Sequence, residues 1–91
     1  MREILMMMLP SCPYCRMADQ MLEELMEENP EYQKVKIRRV NEEEDTALAN
    51  SLDYYYVPCF FVGGVKALEG VPTKDALEQV LKRALAQEES R

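Results

Sequence analysis

The spacing of apolar residues in the first third of the chain predicts a strand followed by a helix. Six consecutive apolar residues, Ile4 to Leu9, predict a fully buried strand over about residues 3–9. From Pro13 onward the apolar positions fall at helical spacing, and acidic residues occupy the opposite side. This pattern predicts an amphipathic helix that ends at the Asn29-Pro30 pair.

The middle of the chain predicts an exposed strand and a second helix. Residues alternate between apolar and basic from Val35 to Val40, which is the period of a half-exposed or edge strand. Asn41, followed three positions later by Glu44, matches a helix-capping pair. We therefore expect a second helix that begins there and ends at about Ser51.

The last third of the chain predicts a hairpin and a closing helix. Two apolar runs, Pro58 to Val62 and Val65 to Leu68, are separated by Gly63-Gly64, which is typical of an antiparallel hairpin. Thr73 is a favourable cap for a final amphipathic helix, and a polar tail follows from residue 87 to 91. The element order is βαβ, then α, then ββα, a parallel crossover unit followed by a hairpin and a helix.

Composition narrows the possible functions. The chain has 91 residues, of which 47% are apolar, and this length predicts one domain over residues 1–91. A net charge of −6 without a Lys/Arg cluster argues against nucleic acid as a partner. The absence of histidine excludes Ser-His and Cys-His nucleophile pairs. Because Ile4 to Leu9 is too short for an export signal or a membrane span, we expect a cytoplasmic protein without membrane contact.

The segment Cys12-Pro13-Tyr14-Cys15 is the strongest candidate for chemistry. It lies at the junction of the buried strand and the first helix, which places one sulfur at the helix N-terminus and the other one turn inside. Free N–H groups and the dipole of a first helical turn stabilise a thiolate, so Cys12 is the predicted nucleophile. Cys15 is then able to resolve a mixed disulfide formed at Cys12.

The same spacing also forms half of a zinc site, but the other half is missing. A second CxxC or a histidine pair would be needed, and the only further thiol is Cys59. We therefore favour a redox role over a metal site or a structural disulfide, and we predict no metal. The apolar neighbours of Cys59 predict that its thiol is buried in the core.

Taken together, CPYC after a buried strand and Val57-Pro58 before a hairpin resemble the glutaredoxins and, more broadly, the thioredoxin-fold oxidoreductases. The resemblance in element order covers nearly the whole chain. It implies an α/β fold of the thioredoxin type, with a four-stranded mixed sheet in the order 2-1-3-4 flanked by three helices.

The resemblance also implies roles for individual residues. Cys12 matches the nucleophilic cysteine of the family and Cys15 the resolving one. Pro58 matches the cis-proline that faces the active-site disulfide, and Val57 matches the residue whose backbone pairs with an extended substrate. Gly70 matches a glycine of the segment that binds the γ-glutamyl end of glutathione.

Other positions differ from the typical glutaredoxin pattern. Leu9 stands where a Lys or Arg is usual and Tyr56 where a threonine is usual, and the segment from Gly70 to Lys74 is closer to small thioredoxins and archaeal-type glutaredoxin-like proteins. Tyr14 and Tyr56 are candidates to flank a substrate groove, since tyrosine combines an apolar body with a polar tip.

The predicted function is therefore that of a dithiol thiol–disulfide oxidoreductase that reduces protein disulfides or glutathione mixed disulfides. We expect a monomer without a bound cofactor, which receives electrons from glutathione or from a thioredoxin-reductase-like protein. The alternative is a carrier of a metal or an iron–sulfur cluster that uses Cys12 as a ligand on the same fold.

Overall fold

The computed structural model describes residues 2–87, so the predicted tail lies outside the described residues from position 88 onward. Its strands are β1 (Glu3–Met8), β2 (Lys36–Asn41), β3 (Cys59–Val62) and β4 (Val65–Glu69). Its α-helices are α1 (Pro13–Glu28), α2 (Thr46–Ser51) and α3 (Lys74–Ala86), and a 3₁₀ helix covers Pro30–Lys34. None of the helices in this part of the chain is long and apolar enough to cross a membrane.

The four strands form one mixed sheet in the order β2-β1-β3-β4. β1 is parallel to β2 and antiparallel to β3, and β3 is antiparallel to β4. The thioredoxin-type α/β architecture and the strand order implied by the resemblance are thus confirmed. β2 is an edge strand, as its alternating pattern predicts.

Both faces of the two central strands are covered, which explains their continuous apolar sequences. Met6 and Phe60 face the larger core with α1 and α3, whereas Met7 and Phe61 face a smaller cluster on the side of α2. Successive side chains of a strand point to opposite faces, so a strand covered on both sides needs apolar residues throughout. The buried side chains that α1 and α3 add to the larger core are Cys15, Ala18, Leu22, Leu25, Leu77, Val80, Leu81 and Ala84.

The start of the second helix differs from the prediction. The side chain of Asn41 accepts a hydrogen bond from the N–H of Glu43 over 2.9 Å and so stabilises a turn rather than a helix. Asp45 is the actual cap, because its carboxylate accepts from the N–H of Leu48 over 3.1 Å. Helix α2 therefore begins about one turn later than predicted and has only six residues.

The 3₁₀ helix after α1 was not predicted from the sequence. Asn29 ends α1 and caps the 3₁₀ helix, since its side chain accepts from the N–H of Glu31. This turn brings Tyr32 into the larger core, where its hydroxyl donates to the Glu78 carboxylate over 2.7 Å. This hydrogen bond links the 3₁₀ helix to α3.

Candidate active site

Cys12 caps the N-terminus of α1, directly after the loop that leaves β1. Its backbone is extended, with φ −83° and ψ 117°, and Pro13 occupies the first helical position, where no N–H donor is needed. The Cys12 Sγ accepts a hydrogen bond from the backbone N–H of Cys15 over 3.3 Å. A sulfur that receives an N–H of the first helical turn is in the arrangement that stabilises a thiolate. Cys12 is also the only partly exposed cysteine of the three.

Cys15 is in a very different environment one turn further along the helix. Only 1% of its surface is exposed, and it packs in the core between the sheet and α1. Burial, the largest cause, together with the nearby Cys12 sulfur raises the pKa of the Cys15 thiol to about 12. Cys15 is therefore a protonated thiol at neutral pH.

A segment far away in the sequence lies against the nucleophile. The thiol of Cys12 donates to the backbone carbonyl of Val57 over 3.8 Å, and the Val57–Pro58 peptide bond is cis. The Pro58 carbonyl in turn accepts from the N–H of Gly70 over 2.9 Å. Gly70 has a φ of +90°, a conformation that glycine adopts without strain. The structure thus brings together five of the seven candidate residues, Cys12, Cys15, Val57, Pro58 and Gly70.

The two remaining candidates, Tyr14 and Tyr56, lie on segments that border Cys12. Tyr14 is on the first turn of α1 and is 45% exposed, whereas Tyr56 precedes Val57 and is 70% exposed. Further exposed apolar side chains are Met17 on α1, Tyr55 beside Tyr56, and Val71 directly after Gly70. Met17 belongs to the helical spacing of apolar residues that predicts α1, but its side chain is 41% exposed near the start of the helix.

Glu69 contacts the site, although its role was not predicted from the sequence. Its Oε2 accepts hydrogen bonds from the backbone N–H groups of Tyr55 and Tyr56, the latter over 2.8 Å, and its Oε1 accepts from the Lys66 ammonium over 2.8 Å. These three bonds, with that to Lys66 the largest cause, lower the pKa of Glu69 to about 2. No local pattern signals this contact, because it joins residues 13 and 14 positions apart.

Cys59 is buried, as the sequence predicts, and the structure places it on the opposite face of the sheet from Cys15. It packs beside Met7 and Phe61 in the cluster on the side of α2, and burial raises the pKa of its thiol to about 12. Among residues 2–87, no three His, Cys, Asp or Glu side chains are grouped to hold a metal ion. Cys12 is the thiol that is accessible to a ligand or substrate.

Comparison with known proteins agrees with this arrangement. The glutaredoxin family profile matches residues 4–66. A thioredoxin of Methanocaldococcus jannaschii is 32% identical over 76 residues, which cover 84% of this chain and 87% of that protein.

Solved structures share the fold. Oxidised thioredoxin from Plasmodium falciparum superposes with a TM-score of 0.67 at 18% identity, covering 92% of this chain and 81% of that one. Oxidised thioredoxin O2 from Arabidopsis thaliana gives a TM-score of 0.57 at 24% identity and covers 89% and 72% of the two chains. With the fold, the matched profile and the archaeal relative in agreement, this chain belongs to the glutaredoxin family of thioredoxin-fold proteins.

Proposed function

We propose that this protein is a dithiol thiol–disulfide oxidoreductase in which Cys12 is the nucleophile and Cys15 the resolving thiol. The observation that carries the proposal is the contrast between these two sulfurs. Cys12 Sγ is partly exposed and accepts the N–H of Cys15, whereas the Cys15 thiol is buried one turn below. A substrate therefore reaches only the first sulfur, and the second is available to the intermediate formed there.

The reaction transfers two electrons in two exchange steps. The Cys12 thiolate attacks one sulfur of the substrate disulfide, and the other substrate sulfur leaves as a thiolate. Cys15 then loses its proton and attacks the Cys12 sulfur of the mixed disulfide, which releases the second substrate thiolate and forms the Cys12–Cys15 disulfide. The chain has no histidine to accept the Cys15 proton, and the departing substrate thiolate is itself a suitable acceptor.

Two features favour protein disulfides as substrates. Tyr14, Tyr56 and Val71 are exposed on three separate segments that meet around Cys12, and a group of exposed apolar side chains is typical of a protein contact surface. The cation closest to Cys12 in the sequence, Arg16, donates to the Pro10 carbonyl over 3.1 Å. Glutathione is anionic, and Leu9 stands where glutaredoxins usually carry a cation.

The backbone of Val57 supports an extended substrate in this proposal. Its carbonyl lies 3.8 Å from the Cys12 sulfur, within reach of a main-chain donor of a peptide that places its disulfide at Cys12. Pro58 and Gly70 hold this segment through their 2.9 Å hydrogen bond. We propose that glutathione or a thioredoxin-reductase-like protein returns the electrons to the oxidised pair.

The experiment compares wild type with Cys12→Ser and Cys15→Ser on a protein disulfide, such as those of insulin, and on a small glutathione mixed disulfide. Dithiothreitol serves as the electron donor, so the result does not depend on the natural reductant. We expect turnover of the protein disulfide by wild type and none by Cys12→Ser. When reduced Cys15→Ser is mixed with the substrate without dithiothreitol, we expect a mixed disulfide trapped on Cys12, detected by mass spectrometry.

The result has clear alternatives. If the Cys12→Ser variant turns over the substrate as fast as wild type, the assigned nucleophile is wrong. If the wild type reduces neither substrate, the oxidoreductase proposal fails. Faster reduction of the glutathione mixed disulfide than of the protein disulfide would keep the chemistry and overturn the substrate preference.

A further inference from the structure

The segment that carries Val57 has no helix or strand of its own. Residues 52–58 run between α2 and β3 without regular secondary structure. Two side chains from outside the segment hold its middle residues. The Tyr54 hydroxyl donates to Glu42 over 2.5 Å, and Glu69 accepts the N–H groups of Tyr55 and Tyr56. The position of this segment therefore depends on side-chain hydrogen bonds rather than on a strand ladder.

Glu69 is well placed for this task. It is the last residue of β4, and its side chain is only 18% exposed. One carboxylate oxygen accepts hydrogen bonds from both amide N–H groups, and the other accepts one from the Lys66 ammonium. An ionised carboxylate that accepts two backbone N–H groups makes charge-assisted hydrogen bonds, which are stronger than bonds to a neutral acceptor. The next residue, Gly70, bonds to Pro58, so the end of β4 holds the segment at two places.

The amides that Glu69 holds belong to two exposed aromatic residues. Tyr55 and Tyr56 are 81% and 70% exposed, although they are large aromatic residues, and Tyr56 directly precedes the Val57 carbonyl that contacts Cys12. Fixing the two amides restricts the directions in which these aromatic side chains project. A rigid, exposed aromatic pair contributes contact area at a low cost in conformational entropy.

We propose that Glu69 is a positioning residue that holds Tyr55 and Tyr56 as a preformed contact surface for protein disulfide substrates, beside the nucleophile Cys12. This inference rests on the proposed oxidoreductase function and deepens it. Glu69 does not touch the reacting sulfurs. A small disulfide that needs only access to Cys12 does not use the surface, whereas a protein substrate does.

A competing explanation is that Glu69 acts only through its ion pair with Lys66. Lys66 is 37% exposed, and an isolated surface ion pair contributes little to stability. Lys66→Gln removes this charge pair and leaves both amide bonds possible. Glu69→Gln also retains an amide oxygen that is able to accept both N–H groups, whereas Glu69→Ala retains none. These variants separate the amide contacts from the ion pair.

The test measures kcat and KM for insulin and for bis(2-hydroxyethyl) disulfide, with dithiothreitol as donor, and hydrogen exchange at the amides of Tyr55 and Tyr56. For Glu69→Ala we expect the KM for insulin to rise about fivefold to twentyfold, with kcat changed by less than about twofold. Turnover of the small disulfide stays within about twofold, and exchange at both amides accelerates about tenfold or more. Lys66→Gln remains within about threefold of wild type in every measurement. Glu69→Gln gives values between those of wild type and Glu69→Ala, because its neutral oxygen accepts weaker hydrogen bonds than a carboxylate.

An unchanged KM for insulin in folded Glu69→Ala would overturn the proposal, as would an equal rise in KM in Lys66→Gln. If Glu69→Ala does not fold, Glu69→Asp is the substitute, because it keeps the charge but is one methylene shorter. If the wild type reduces neither disulfide, the oxidoreductase function and the recognition role fail together. Hydrogen exchange still reports in that case whether Glu69 holds the two amides.

Discussion

The backbone N–H of Cys15 donates a hydrogen bond to the Cys12 sulfur over 3.3 Å, while the Cys15 sulfur itself is buried in the core. The same helical turn thus directs an N–H donor to one sulfur and removes the other from solvent. The two residues are only three positions apart. The asymmetry therefore comes from the helix, whose N-terminal N–H groups point toward Cys12, and from the core that covers Cys15.

This asymmetry predicts selective alkylation of the reduced, folded protein. At pH 8, iodoacetamide should modify Cys12 at least about tenfold faster than Cys15 or Cys59, because both of the latter are buried protonated thiols. Peptide mapping by mass spectrometry gives the rate for each cysteine. Unfolding in guanidinium chloride is the control and should make the three rates similar. Comparable labelling of Cys15 in the folded state would contradict the assignment.

The second exchange step should depend strongly on pH. Burial is the main reason that the Cys15 pKa is raised to about 12, and we expect this burial to persist in the mixed disulfide. Well below that pKa the thiolate fraction rises about tenfold per pH unit, so resolution of a preformed mixed disulfide should accelerate about tenfold per unit between pH 6 and 9. Rapid-quench measurement of the released thiol tests this. A rate independent of pH across this range would be inconsistent with a protonated resolving thiol.

Tyr32 should contribute to stability through both its ring and its hydroxyl. Tyr32→Phe removes the 2.7 Å hydrogen bond to Glu78 and should lower the free energy of unfolding by about 1 kcal/mol. Tyr32→Ala also empties a buried site and should cost about 3 kcal/mol or more. Urea unfolding followed by circular dichroism measures both values. Glu78→Gln is the matched control, since it keeps an acceptor for the Tyr32 hydroxyl. If Glu78→Gln lowered the free energy of unfolding by more than Tyr32→Phe does, the result would not fit this contact.

Cys59 should stabilise the reduced protein in a manner that depends on pH. Its pKa rises from 9.0 to about 12 on folding, so the fold favours the protonated thiol. That contribution is fully present below pH 9 and is lost as the pH rises through about 12. Cys59→Ala should cost about 1 kcal/mol at neutral pH because it leaves a small cavity.

The same thiol makes a further comparison possible above pH 9. The difference in unfolding free energy between wild type and Cys59→Ala should shrink with rising pH, since only the wild type loses the contribution of this group. Urea unfolding of both proteins at several pH values, under reducing conditions, measures the difference. Groups common to both proteins cancel in this comparison. A difference in unfolding free energy that stays constant from pH 8 to 11 would show that burial does not raise the pKa of the Cys59 thiol.

Much of this protein could be predicted from local patterns along the chain. The apolar run before Cys12 indicates a strand covered on both faces, and the period change at Pro13 indicates where α1 begins. These features depend on side-chain spacing and on the proline at the first helical position, which are properties of adjacent residues. The chemistry of the CxxC pair follows from the same local information.

The turn after β2 shows where local patterns become insufficient. Asn41 and Asp45 are both good caps, and the hydrogen bond from Glu43 to Asn41 makes the first of them part of a turn. A spacing rule does not distinguish these outcomes, because both satisfy the same kind of backbone donor. Which of the two residues caps the helix depends on where β2 ends and on where α2 packs against the sheet.

The contacts around Cys12 depend on folding of the whole chain. Val57 lies 45 positions away from Cys12 and reaches it because β3 pairs with β1, and the Glu69 carboxylate reaches Tyr55 and Tyr56 because β4 pairs with β3. The sequence determines which residues are able to act as nucleophiles and which are able to accept hydrogen bonds. Which sulfur is exposed, and which amides that carboxylate receives, are fixed by long-range packing of the sheet and helices, since burial and distance exist only in the folded chain.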